Sequence, residues 1–156
     1  MNRKIKKTLC LIVFCCLLIF GCAGLKAVDE QPDASKTVTA VISVKDAPNP
    51  VRAFGLDLLY PNEVMTFQGI ARGHLLQNGF PVFGSNIIGP GRLRIGGVEA
   101  GNNFIPEAAS GELVRLTFKA RRVQSSDFQI RELNSDFRSW LIGNHKHLVI
   151  SFIMEN

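Results

Sequence analysis

The sequence is poor in the residues that catalytic and ligand-binding sites are usually built from. Its four cysteines are Cys10, Cys15, Cys16 and Cys22, so no disulfide can form in the chain beyond them, and the stability of that part must come from burial alone. There is one tryptophan, Trp140, and one tyrosine, Tyr60, too few for a broad aromatic platform. No Gly-Lys-Ser/Thr follows a glycine run, which excludes a phosphate-binding loop of the Walker type. Gly89-Pro90-Gly91-Arg92-Leu93-Arg94 begins like a dinucleotide fingerprint but lacks the third glycine and a following helix, and reads as a turn. His145 and His147 fall on one side of an extended segment without a third ligand, and His74 has no cysteine or serine partner. No pair of carboxylates stands out. These absences argue for binding without catalysis, with no cofactor and no metal of its own.

The longest apolar run, Leu9–Phe20, is too short for a membrane-spanning helix, which needs about 20 residues. Arg3, Lys4, Lys6 and Lys7 precede it, and a basic stretch before a short apolar one describes a bacterial export signal. Leu18-Ile19-Phe20-Gly21-Cys22-Ala23 resembles a lipobox, so residues 1–21 are read as a lipoprotein signal peptide and Cys22 as the lipid attachment site. The other reading is an ordinary signal peptide cut at Ala23 or Ala27. The four leader charges account for much of the formal charge of +5: 14 of the 18 Lys and Arg remain, against 13 Asp and Glu. A near-neutral mature chain does not suggest a nucleic-acid partner. Residues 22–36 are polar and aperiodic, as expected of a tether, which leaves 37–156 as the folded domain. The expected destination is the cell envelope. Ala23 stands where an Asp would favour retention at the inner membrane, so the outer membrane is favoured in a host that has one.

Within the domain the dominant signal has a period of two. Phe54, Leu56, Leu58 and Tyr60 alternate, and Pro61-Asn62-Glu63 stops that strand before Val64, Met65 and Phe67 begin another. Thr37–Val44 alternates, with Val38, Ala40, Ile42 and Val44 inward and only Val41 out of place on the polar side. Asp46–Pro50 is a loop. Asn78-Gly79 signals a turn, followed by a strand with Phe80, Val82 and Phe83 that runs into Ile88. Arg92–Gly96 is a strand, Gly96–Asn103 a loop, Phe104-Ile105-Pro106 a short apolar contact and Ser110-Gly111-Glu112 a turn. The clearest strand is Leu113–Arg122: Val114, Leu116, Phe118 and Ala120 face inward, and Arg115, Thr117, Lys119 and Arg121 outward. Phe128, Ile130 and Leu133 form another strand. Asn134–Asn144 is irregular, with room for a helical turn around Phe137, Trp140 and Leu141, and Leu148, Ile150, Phe152 and Met154 share one face of the last strand. Short strands, regular turn signals and no helix-period segment predict an all-β sandwich.

Taken in order, these landmarks resemble a cohesin-like module. They are the strand Thr37–Val44, then Ala53-Phe54-Gly55-Leu56-Asp57-Leu58-Leu59-Tyr60 with the turn Pro61-Asn62-Glu63-Val64, and then Phe83-Gly84-Ser85-Asn86 and Gly91-Arg92-Leu93-Arg94-Ile95-Gly96. Ser110-Gly111-Glu112-Leu113, leading to Thr117-Phe118-Lys119-Ala120, completes the set. The likeness covers roughly residues 37–122. There are two departures. Gly24–Lys36 is polar where the family has its first strand, and Tyr60-Pro61-Asn62 is a variant of Tyr-Asp-Pro. The resemblance implies a jelly-roll β-sandwich of about eight or nine strands, related to some carbohydrate-binding modules. It also implies a protein partner that carries a dockerin, a small calcium-stabilised helical domain, with the calcium belonging to the partner.

Two other readings stay open. One is a polysaccharide-binding module with Trp140 as its stacking ring. The other is a structural lipoprotein of a secretion or surface assembly. The candidate partner surface consists of the outward cations Arg92, Arg94, Arg115, Lys119 and Arg121, which suit an acidic partner or simply keep a sheet face soluble.

Overall fold

A computed structural model describes residues 35–133, 135–138, 140 and 146–154. Cys22 and the export segment, the tether as far as Ala34, Leu141 and His145 lie outside the described residues.

Among the described residues eight strands follow one another: β1 (Lys36–Val44), β2 (Ala53–Leu59), β3 (Met65–Arg72), β4 (Val82–Gly89), β5 (Arg92–Val98), β6 (Gly111–Ala120), β7 (Gln129–Glu132) and β8 (Leu148–Met154). They form two four-stranded antiparallel sheets, ordered β3-β6-β1-β8 and β4-β5-β2-β7. Within these sheets β1 pairs with β8, β2 with β7, β3 with β6 and β4 with β5. This is a long hairpin folded over on itself, the jelly-roll arrangement. Only the β4–β5 turn joins neighbours in one sheet; every other connection passes between sheets.

The alternation read from the sequence packs the two inner faces. Val38, Ala40, Ile42 and Val44 of β1 and Val114, Leu116, Phe118 and Ala120 of β6 meet Phe54, Leu56 and Leu58 of β2 and Leu93 and Ile95 of β5 in one buried core. Burying Leu116 and Phe118 stabilises the fold by about 1.5–3 kcal/mol each. Phe118 is central: its ring lies 5.2 Å from Tyr60, 5.6 Å from Phe67 and 5.5 Å from Phe128.

Several expectations need correction. The last described strand keeps its phase, but Met154 is 66% exposed because it lies at the end of β8 and reaches past the core. Phe80 is buried ahead of β4, whereas Val82 inside β4 is 66% exposed on the outer face. β6 starts at Gly111, two residues earlier than expected, and a register shift opposite Ile42/Ser43 turns Leu113 as well as Val114 into the core. It ends at Ala120, because Arg121 N–H turns to the Val64 carbonyl at 3.0 Å. β1 begins at Lys36, which pairs with Ala120. β5 runs through Gly96 and Gly97 to Val98 instead of opening into a loop. Glycine usually weakens a strand. Here a Cβ on Gly97 would come within 2.6 Å of the Phe54 ring, so its absence lets that ring cross the strand.

The segment after β7 turns back onto the start of β2. The Asp136 carboxylate accepts the N–H groups of Arg52 at 2.7 Å and Ala53 at 2.9 Å, and Asn49 Nδ2 donates to the Asp136 carbonyl at 3.1 Å. Phe137 and Trp140 pack at 4.5 Å between centroids, and both are buried.

Candidate binding face

The outer face of β4-β5-β2-β7 combines three rows set by strand register. In the first, Val82 pairs with Val98, which pairs with Ala53. Val82 and Val98 are 66% and 48% exposed, side chains that sit on a sheet face without cover from the described residues. In the second, Gly84, Gly96 and Gly55 stand side by side on three adjacent strands. This makes a lane without side chains, closed at one end by Leu133, whose Cδ1 lies 3.2 Å from where a Gly55 Cβ would be. A Cβ on Gly84 would meet nothing within 4 Å. In the third, Asn86 pairs with Arg94, Arg94 with Asp57, and Asp57 with Arg131.

Asp57 is the electrostatic centre of this face. Its residue is fully buried. Arg94 Nε donates to Oδ1 at 2.9 Å and Arg94 Nη2 to Oδ2 at 3.2 Å, while Arg92 donates to Oδ2 through both Nε, at 3.0 Å, and Nη2. Hydrogen bonds from Arg94 are the largest influence on the carboxyl; against the opposing cost of burial, they and Arg92 hold it below the usual carboxylate range. The carboxylate in turn raises the Arg94 guanidinium above its ordinary value. Both arginines remain nearly half exposed at the side chain. Among the described side chains, one carboxylate stands with Arg92, Arg94 and Arg131, and these carry excess positive charge.

The five cations expected to form one partner surface are divided. Arg92 and Arg94 lie on β5 in this sheet, whereas Arg115 and Lys119 lie on β6 in the other. Arg121 follows the end of β6. Arg115 is held by Glu112 of its own strand, Nε to Oε2 at 2.9 Å. A partner seated on one sheet face therefore cannot use all five. Trp140 is also corrected: it is 1% exposed, its Nε1 donates to Asn49 Oδ1 at 2.9 Å, and it offers no ring face to a sugar. His147 Nδ1 donates to the Lys45 carbonyl at 2.9 Å.

The glycine lane was not anticipated. Gly55, Gly84 and Gly96 each stand two residues from an outward polar side chain (Asp57, Asn86 and Arg94), but only the pairing register aligns them. Outside this face, a polar recess of about 250 Å³ lies between the Gln77–Pro81 and Glu99–Asn103 loops. Its Glu99 is already engaged by Arg52 at 3.1 Å and by Asn103 N–H at 3.0 Å. Among the described residues, no group of three His, Cys, Asp or Glu is placed to hold a metal ion.

No curated protein matches the sequence. Among solved structures, a non-cellulosomal cohesin from the hyperthermophilic archaeon Archaeoglobus fulgidus is similar at 19% identity and a TM-score of 0.47, covering 63% of this chain and 67% of that one. CaCohA2 from Clostridium acetobutylicum is similar at 19% identity and a TM-score of 0.47, over 64% of this chain and 72% of that one. A crystal structure of CaCohA2 in complex with CaDoc0917 gives 16% identity and a TM-score of 0.47, over 74% and 76%. The sequence matches the Cohesin domain family over residues 24–137, most of its length and all but the last strand of the sandwich. The chain belongs to the cohesin family.

Proposed function

We propose that this chain is a non-catalytic receptor, anchored in the cell envelope through lipid on Cys22, that holds a dockerin-bearing protein on the outer face of β4-β5-β2-β7. The observation that carries the reading is the glycine lane Gly84–Gly96–Gly55 between exposed Val82 and Val98 on one side and the Arg92–Asp57–Arg94 cluster on the other. A surface without side chains lets a partner's backbone or helix approach closely. The flanking apolar row supplies area to desolvate, and the arginines supply direction. Asp57 is already saturated by its neighbours, so the charge left for a partner is positive, and the complementary partner surface is acidic. Sugar binding loses its ring with the burial of Trp140.

The test is affinity capture from the source organism's envelope with the full chain as bait, beside Gly84→Phe and Arg94→Glu. A dockerin-bearing protein retained by the wild type and lost from both variants supports the reading. Retention of the same protein by both variants, or retention of the bait on insoluble polysaccharide instead, overturns it.

A further inference from the structure

The four sheet edges are not equally protected. β3 carries a register shift at Phe67/Gly69 and ends in Arg72, β4 carries one at Ile87/Gly89, and β7 has four residues of which two are charged. Bulges, charges and short length are the usual means of preventing edge-to-edge pairing. β8 has none of them. It is seven residues long, Leu-Val-Ile-Ser-Phe-Ile-Met, with no charge, no proline and no register shift against β1. Among the described residues no strand lies beyond it. A cleft of about 490 Å³ runs beside it, lined by Phe128, Ile130, Leu148 and Ile150 among others.

The direction of its free backbone groups follows from the ladder. Lys45 N–H donates to the His147 carbonyl at 2.8 Å, in register with the β1–β8 pairing. Hydrogen-bonded pairs recur at every second residue of an antiparallel ladder. Val149, Ser151 and Ile153 therefore bond to β1, and the N–H and C=O groups of Leu148, Ile150, Phe152 and Met154 point to the open edge.

We propose that β8 pairs with β8 of a second copy of this chain, antiparallel about a two-fold axis through Ser151. In that register Ile150 bonds Phe152 of the partner subunit, and Leu148 bonds Met154 of the partner subunit. These are the residues whose backbone groups no other strand takes up among the described residues. Ser151 faces its own counterpart on the axis as a non-hydrogen-bonded pair. Val149, 44% exposed, lies opposite Ile153 of the partner subunit, and Ile153 of this chain is 47% exposed. Every opposed pair is apolar with apolar or serine with serine. The strand is thus complementary to itself, as a two-fold interface requires. The two β3-β6-β1-β8 sheets merge into one, and the pairing uses no residue of the face assigned above to the dockerin-bearing partner.

The test uses the full chain purified in detergent, with sedimentation mass and non-reducing electrophoresis as readouts. A non-hydrogen-bonded pair brings Cα atoms to about 4.5 Å, within disulfide range. Ser151→Cys is therefore expected to form a linked dimer on mild oxidation, beyond the background of the wild-type cysteines. Thr66→Cys, on the far edge of the same sheet, is not. Ser151→Lys sets two like charges face to face on the axis while leaving the core untouched, and is expected to halve the mass of the wild-type dimer. A wild type that is monomeric up to its solubility overturns the proposal. So does a dimer that survives Ser151→Lys, or a Ser151→Cys chain that links no faster than Thr66→Cys, as expected if another segment occupies the edge.

Discussion

Arg94 faces Asp57 directly across the β2–β5 ladder, and its Nε reaches the Asp57 Oδ1 at 2.9 Å. Arg92 reaches the same carboxylate from two residues along the strand. The arrangement forks two guanidiniums onto one buried carboxylate, and its sign determines how the domain responds to acid. The folded-state pKa of Asp57 is lowered, so its contribution is complete above the unfolded value of about 3.9 and is lost as pH falls through the folded value. Asp57→Asn is expected to lower thermal stability at neutral pH, and the gap from wild type should shrink as pH drops below about 4. Thermal melts across that range check it; a gap that stays constant contradicts the coupling. Asp57→Ala is expected to cost about 1–3 kcal/mol, because it leaves both arginines facing an empty site.

Phe118→Ala tests the core. The ring has Tyr60, Phe67 and Phe128 within 5.6 Å of its centroid, and truncation leaves a cavity that a sheet cannot close by shifting. Chemical denaturation should register a loss of about 3–5 kcal/mol.

Gly91 is at φ +63°, and a Cβ there would sit 2.3 Å from the Tyr60 carbonyl oxygen. Gly91 C=O also accepts Tyr60 N–H at 2.8 Å, tying the β4–β5 turn to the end of β2. Gly91→Ala should lower stability by more than 1 kcal/mol, as expected where alanine is placed at positive φ. Gly84→Ala, with open space around it, should change stability by less than about 0.5 kcal/mol. Parallel melts of the two variants separate backbone demand from glycine content.

The division of the cations between two sheets gives a contrast in binding. Arg115→Glu with Lys119→Glu should leave capture of the protein partner unchanged, whereas Arg94→Glu should reduce it at least tenfold. Loss from the Arg115→Glu/Lys119→Glu chain with capture unchanged in Arg94→Glu would move the binding face to the other sheet.

Cys22→Ser should release the chain from the membrane fraction if the cysteine carries the lipid. Fractionation with a label for acylation reads this directly, and a variant that remains membrane-bound and labelled removes the anchor from the proposal.

The order of strands and the direction of their side chains were legible in the sequence because both are local. Phe54, Leu56 and Leu58 face inward whichever strands lie beside β2, since successive side chains of an extended chain point to opposite sides. The same holds for Val114, Leu116 and Phe118. Which residues become neighbours across strands is not local. Gly55, Gly84 and Gly96 form a lane only because β5 pairs with both β2 and β4 in one register. Asp57, by alternation an outward residue, is buried because Arg92 and Arg94 close over it. Arg94 and Arg115 look alike in their strands, yet β5 and β6 belong to different sheets. Trp140, in a stretch without periodicity, owes its burial to Asn49 and Phe137, one of them far away in the chain. Alternation thus decided from sequence alone which side of each strand meets the core. Long-range pairing, which leaves no mark on any short stretch, decided which outward residues share a face.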